Sequence, residues 1–269
     1  MECKTAYICI SLSTALERRA FMEKQFSRMN IPAYFFDAIA IRPDSVDRIP
    51  GYDLAKRLHR FGYGLTPGEI GCYLSHRTVW RQFLDSSHDI ACILEDDGVL
   101  HDDFLERVAD IGAAREHWDF VRLYSLYRRG ARPYCMTAGS RQLNWVACSA
   151  MSTLGYLLTR KAAERLLVHT QEIMFTIDEA IDRHWEHGLR QLVVHPQLVT
   201  ESALPSVIGD RRKPRLRGQA KVRYKWHRAA DKVRRFFFNV KNRPQRVIRL
   251  DQQGAGKFSN GNRGLLERS

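Results

Sequence analysis

Apolar and polar positions fall into blocks whose period changes along the chain. Residues 5–12, TAYICISL, are a nearly unbroken apolar run and predict a buried first strand. In residues 15–29, Leu16, Met22, Phe26 and Met29 recur near helical spacing with charges between them, the pattern of an amphipathic helix. Residues 33–39, AYFFDAI, predict a second strand. A strand–helix–strand rhythm of this kind points to an α/β fold with a partly parallel sheet. Residues 40–65 are rich in Arg, Asp, Pro and Gly, show no such period, and read as a long irregular loop that is functional or mobile.

The next helix is announced by Thr66-Pro67-Gly68-Glu69, with Thr at the cap, Pro at the first helical position and Glu at the third: a capping box with a pre-set first turn. It is predicted to run to about Leu84. Strands are expected at 89–94 and 118–124 and within 141–159, which holds Trp145, Val146, Ala147 and then GYLLT. Helices are expected at 102–116 and 160–168. Thr176-Ile177-Asp178-Glu179 reads as a second capping box, opening a helix to about Gly188, and 190–194, RQLVV, as a last strand. The chain has no internal repeat.

A length of 269 residues with 44% hydrophobic residues allows one large domain, or a domain with an appendage. No run of about 18 apolar residues predicts a membrane span. The start, MECKTAYICISLS, lacks the basic, apolar and small-residue regions of an export signal. The six cysteines (Cys3, Cys9, Cys72, Cys92, Cys135 and Cys148) sit mostly in apolar segments and form no C-x-x-C pair. They read as reduced core residues, and a zinc site is not expected.

The charge is uneven. Residues 210–250 hold sixteen Lys and Arg against Asp210 and Asp231, which is +14 of a total of +13, so the rest of the chain is near −1. Three segments follow: a body at 1–209, a basic segment at 210–250, and a polar, Gly-rich end at 251–269 expected to lack fixed structure.

That near-neutral body places three adjacent acids, Glu95, Asp96 and Asp97, at the end of an apolar strand in CILEDDGVL. Open α/β sheets bind ligands beyond the carboxyl ends of their strands. Clustered carboxylates repel one another unless a cation offsets them, and hard oxygen donors suit Mg²⁺ or Mn²⁺ bridging to a substrate diphosphate. A solvated acidic turn is the alternative.

Here the sequence resembles a known family. TPGEIGCYLSHRTVW followed at close range by ACILEDDGVL is similar to glycosyltransferase family 25, which includes bacterial lipooligosaccharide galactosyltransferases. YICISLSTALERRAFMEKQF, YFFDAIA, STLGYLLTRKAAERLL, FTIDEAI and VVHPQLVTES resemble further segments of it, so the likeness covers about residues 5–210. It implies a GT-A-like nucleotide-sugar-binding fold with a mixed, mostly parallel sheet. It also implies an inverting transfer, usually of galactose from UDP-galactose, with the acid triplet standing for the D-x-D signature of that fold. The triplet starts with Glu, not Asp, so metal dependence does not follow automatically.

On this resemblance Asp97 is the metal ligand, Glu95 a metal or ribose contact, and Asp96 a donor-site residue. The metal is Mn²⁺ or Mg²⁺. An inverting displacement needs a base for the acceptor hydroxyl. Asp178, in the first turn of its helix, is the candidate, with Glu179 and Asp182 as substitutes. Arg18 and Arg19 are candidates for the uridine or diphosphate, or else a solvated helix start; Asp37 for the uridine half, or a turn acid. Gly68, Glu69 and Gly71 mark a helix end that approaches the donor closely, and Ser75 and His76 lie one turn further on. His195 is a weaker metal-ligand candidate.

In residues 219–240, Val222, Trp226, Ala229, Val233, Phe237 and Val240 recur at steps of four and three, flanked by Lys221, Lys225, Arg228, Lys232 and Arg235. This C-terminal basic amphipathic helix suits an anionic membrane surface, a docked position on the body, or, least well, nucleic acid. With a saccharide or glycolipid acceptor, the membrane reading places residues 211–249, and the protein, at the inner face of the bacterial cytoplasmic membrane. Two other classes stay open: a metal-dependent phosphohydrolase acting on a nucleotide-type substrate, and a non-enzymatic protein whose basic tail binds anionic lipid or nucleic acid.

Overall fold

Strand β1 (Thr5–Ser11) sends its side chains alternately into two cores. Tyr7 and Cys9 join one, and Ala6, Ile8 and Ile10 the other. The computed structural model describes residues 3–126, 131–137, 141–204, 215–250 and 256–258. After β1 come α1 (Leu16–Met29), β2 (Ala33–Asp37), α2 (Leu54–Phe61), α3 (Pro67–Asp85), β3 (Ile90–Glu95), β4 (Gly98–Leu100) and α4 (Phe104–Ala113). They are followed by β5 (Phe120–Arg122), β6 (Arg132–Met136), β7 (Gln142–Trp145), β8 (Gly155–Thr159), α5 (Arg160–His169), α6 (Ile177–Ile181) and α7 (His184–His187). The rest is β9 (Gln191–His195), β10 (Val199–Glu201), α8 (Gly218–Asn242), β11 (Ile248–Leu250) and β12 (Gly256–Phe258).

The main sheet has the order β12-β11-β6-β7-β9-β5-β8-β3-β1-β2. It is mixed. The parallel pairings are β2 and β3 on β1, β9 on β5, and β6 on β11. β8 lies antiparallel between β3 and β5, and antiparallel pairs join β6, β7 and β9. β4 and β10 form a small antiparallel pair beside it. β3 repeats the alternation of β1: Ile90, Cys92 and Leu94 pack on one face, Ala91 and Ile93 on the other. Strands covered on both faces read as continuous apolar runs, which is why β1 and β3 are conspicuous in the sequence.

The first capping box forms as expected. Thr66 Oγ1 accepts from Glu69 N at 3.2 Å, and Glu69 Oε2 accepts from Thr66 N at 2.8 Å. The second does not. The Thr176 hydroxyl donates instead to Asp178 Oδ1 at 2.5 Å, and that oxygen accepts from Glu179 N at 2.9 Å, so Asp178 takes the acceptor role assigned to Thr176. Nor does one helix run to Gly188. The chain breaks between α6 and α7, where the Asp182 carboxylate is drawn into an ion pair with Arg122.

Residues 40–65 are not an irregular loop. They hold a 3₁₀ turn at Pro43–Arg48 and helix α2, capped by Asp53 accepting from Lys56 N at 2.9 Å. The buried residues of α2 are Arg57 and Phe61, and Arg57 lies over the Phe61 ring with its carbon 4.4 Å from the centroid. Burial pulls the Arg57 pKa below its ordinary value, and Glu179 is the first of the charges that oppose this.

Helix α8 docks on the body by its polar edge. Asp231 accepts from Arg183 at 2.7 and 2.8 Å and from Arg60 at 3.2 Å, and Asn239 donates to Ala147 O at 2.7 Å. Burial pushes the Asp231 carboxyl up, but hydrogen bonds and charge from Arg183, with the charge of Arg60, more than offset it and leave the pKa lowered. On the opposite edge Val222, Trp226, Val233, Phe236, Phe237 and Val240 are exposed, Trp226 by 70% and Phe237 by 66%. No described helix is long and apolar enough to cross a membrane. Residues 210–214 of the basic segment lie outside the described residues. So does 251–269, apart from Gly256–Phe258, whose backbone pairs with β11.

Candidate active site

The acid triplet stands where β3 ends beside the start of β8, with Glu95 N donating to Leu154 O at 3.0 Å. The chain returns past it on β10, where Ser202 N donates to Asp97 O at 2.8 Å. The starts of α3 and α6 complete the walls of a cleft of about 600 Å³. Glu69, Glu95, Asp97, Asp178, Glu179 and Glu201 line it, and among the described residues no Lys or Arg does.

Glu95 ends β3, and Asp96 and Asp97 form the turn to β4, where the triplet divides. Glu95 and Asp97 reach the cleft. Asp96 turns inward and is buried, accepting from Ser11 Oγ at 2.6 Å and from Arg18 Nη1 at 2.6 Å. It anchors the turn to β1 and α1, and so differs from the donor contact expected of it. Asp97 has one oxygen 3.5 Å from Arg18 Nη2. The other, Oδ1, is buried without a hydrogen-bond partner. Burial, then the neighbouring Glu95 charge, pushes the Asp97 pKa up to about 6. A carboxylate oxygen left alone among other acids fits a divalent cation with oxygen ligands.

Glu95 accepts from Thr153 Oγ1 at 2.5 Å and lies 3.4 Å from His76 Nε2. His76 is fully buried on α3. Its Nδ1 is 2.7 Å from the Tyr156 hydroxyl, to which Trp80 Nε1 donates at 2.9 Å. Across the cleft, Asp178 is oriented by Thr176 and by Glu179 N. The loop between them includes Met151 and Ser152, both in left-handed conformations with φ of 53° and 78°. Asp182 holds this loop by accepting from Met151 N at 2.8 Å and from Ser149, while its other oxygen pairs with Arg122 at 2.6 Å. Asp182 thus supports the cleft wall and does not itself line the cleft.

Other predicted residues lie outside the cleft lining. Arg19 donates to Ser11 O and Leu12 O and pairs with Asp37 at 2.5 Å, so both belong to the β1–β2 end. Gly71 lets α3 press on the backbone: a Cβ there would lie 2.3 Å from Ile39 O. Ser75 is buried, accepting from Ile39 N at 2.8 Å and donating to Gly71 O at 2.7 Å. Gly68 occupies the first turn of α3, and His195 is exposed at the end of β9. Thr153, Tyr156 and Glu201 were not predicted. Only their place within the STLGYLLTRKAAERLL and VVHPQLVTES segments marked them.

A family profile described as glycosyltransferase family 25 (LPS biosynthesis protein) matches residues 4–181. The chain is 29% identical over 168 residues to the lacto-N-neotetraose biosynthesis glycosyltransferase LgtB of Neisseria meningitidis serogroup B, covering 57% of each protein. It is 28% identical over 209 residues to LgtE of the same organism, covering 71% of this chain and 72% of LgtE. It is also 28% identical over 178 residues to the lipooligosaccharide biosynthesis protein lic2B of Haemophilus influenzae, covering 60% and 61%. The chain therefore spans little more than half the length of LgtB and lic2B.

Proposed function

The chain belongs to glycosyltransferase family 25, and from that premise we propose that it is an inverting hexosyltransferase with a GT-A-like donor site. Its donor is UDP-galactose, and its acceptor is a saccharide of lipooligosaccharide, of lipopolysaccharide core or of another glycolipid. Its relatives, a lacto-N-neotetraose biosynthesis glycosyltransferase and a lipooligosaccharide biosynthesis protein, support the acceptor class. The observation that carries the chemistry is the cleft itself. Its acidic lining repels a nucleotide diphosphate unless a cation comes with it, and Asp97 Oδ1 stands there without a protein partner.

Asp97 and Glu95 would hold Mn²⁺ or Mg²⁺, which supplies positive charge against the negative charge gathering on the departing diphosphate. Arg18 and Ser11 keep the acidic turn in place through Asp96. Thr153 orients Glu95. Asp178, fixed through Oδ1, takes the proton of the acceptor hydroxyl as that oxygen attacks the sugar carbon from the side opposite the leaving group. Asp182 holds the Met151–Ser152 backbone at the cleft wall.

The exposed apolar edge of α8, bordered by Lys221, Lys225 and Lys232, brings the protein to an anionic membrane surface, where a glycolipid acceptor lies. On this reading it is peripheral at the inner face of the bacterial cytoplasmic membrane. The deciding experiment is UDP release by the purified protein across a panel of nucleotide sugars, with Mn²⁺ and with a chelator. Release from UDP-galactose that the chelator abolishes is the expected result. Release unaffected by chelator would move Glu95 and Asp97 from metal binding to donor hydrogen bonding.

A further inference from the structure

Cys72 and His76 lie one turn apart on α3, and Glu95 ends β3 beside them. Cys72 Sγ, a ring nitrogen of His76 and a carboxylate oxygen of Glu95 all lie within 4.8 Å of one another. The 3.4 Å between His76 Nε2 and Glu95 Oε1 is long for a hydrogen bond, which prefers about 2.7–3.2 Å. It matches the spacing between two ligands of a tetrahedral ion. Bond lengths of about 2.0–2.1 Å at the tetrahedral angle give an edge of about 3.3 Å.

The surroundings resemble those of a metal ligand set. Metal-binding histidines pass their second ring N–H to a fixed partner, and ligating carboxylates are themselves hydrogen-bonded. Here the Tyr156 oxygen is 2.7 Å from His76 Nδ1, and Thr153 donates to Glu95 at 2.5 Å. Cys72 and Glu95 line the cleft, so a fourth position opens to it.

We propose that Cys72, His76 and Glu95 form a binding site for a borderline transition ion, with zinc the best fit. A thiolate, an imidazole and a carboxylate favour zinc over Mg²⁺ or Mn²⁺. On binding, the Cys72 thiol proton passes to solvent. The single ring proton of His76 sits on Nδ1, donated to the Tyr156 oxygen, and Nε2 gives its lone pair to the ion. Spacing alone argues against zinc, because no C-x-x-C pair exists; the set is assembled from a helical turn and a distant strand end. Glu95 is shared with the Mn²⁺ or Mg²⁺ ligands proposed above. Zinc occupancy therefore weakens that second ion, a consequence which rests on the proposed function. Zinc binding itself does not.

The test is titration of the full-length, metal-free protein with Co²⁺, followed by Zn²⁺. The expected result is a thiolate-to-cobalt absorption band saturating at one equivalent and bleached by zinc. It should be absent in Cys72→Ser and retained in Asp97→Ala. No thiolate band, or a band that persists in Cys72→Ser, overturns the site. Mn²⁺ affinity, read by electron paramagnetic resonance, should fall at least tenfold with one equivalent of zinc; unchanged affinity overturns the sharing of Glu95. Absence of Mn²⁺ binding in a zinc-free sample, with the cobalt band intact, strikes the metal role in the proposed function and leaves the zinc site standing.

Discussion

Arg18 Nη1 lies 2.6 Å from Asp96 Oδ1, a largely buried pair that joins the first helix to the turn carrying the candidate metal-binding acids. Removing the cation strands a buried charge whose remaining hydrogen-bond partner, among the described residues, is Ser11. Arg18→Ala should cost about 2–5 kcal/mol of stability, read by urea unfolding. Asp96→Asn, which keeps hydrogen-bonding capacity, should cost less. Equal and small losses would show that the pair is not what holds the turn.

Asp97 is the acid whose protonation reports on the site. Its pKa is raised to about 6, so the folded protein holds this proton more tightly than the unfolded chain. Folded stability is therefore lost as pH rises from about 4 through 6 and stays reduced above that. Asp97→Asn should raise the stability of the metal-free protein at pH 7 to 8 by on the order of 1–3 kcal/mol. The same change should abolish metal-dependent UDP release. A variant that is neither more stable nor less active would contradict the assignment.

Asp178→Asn should lower kcat by about 10²–10⁴-fold with little change in donor KM, the size expected for loss of a general base. Steady-state kinetics against UDP-galactose separate this from a binding role, in which KM would carry the loss.

Ser152 stands at φ 78°, where glycine is at ease and serine is strained. Ser152→Gly should gain about 1 kcal/mol while loosening the wall held by Asp182. Thermal unfolding and kcat/KM are the two readouts, expected to move in opposite directions. A loss of stability would mean that the Ser152 hydroxyl, which accepts from Leu154 N at 3.2 Å, outweighs the strain.

Membrane attachment is best tested on the exposed edge of α8. Truncation before the helix would also remove Asp231 from Arg183 and Arg60. Trp226→Ser and Phe237→Ser should each weaken binding to anionic vesicles about tenfold or more, since a buried aromatic ring contributes roughly 1.5–3 kcal/mol. Flotation assays that show no change would leave the helix with its docking role alone.

Much of the parallel half of the fold is readable along the chain, because β1, β2 and β3 are apolar runs and α3 carries its own cap. Helix α2 is hidden because its inward side includes Arg57, a cation that pattern reading assigns to solvent. The acid triplet was recognisable as a candidate site. The separate duty of Asp96 comes from the turn after β3, which aims its carboxylate at Ser11 and Arg18; reading the three acids as one unit overlooks it. Tyr156 and Thr153 escape, and so does the supporting contact of Asp182, because their partners, His76, Glu95 and Met151, lie far away in sequence and the fold brings them together.

Helix α8 grips the body by its charged edge and leaves Trp226, Phe236 and Phe237 in water. In a preparation stripped of lipid, those rings have only other copies to cover them. Concentrated protein should therefore self-associate on size-exclusion columns, and mild nonionic detergent should disperse it.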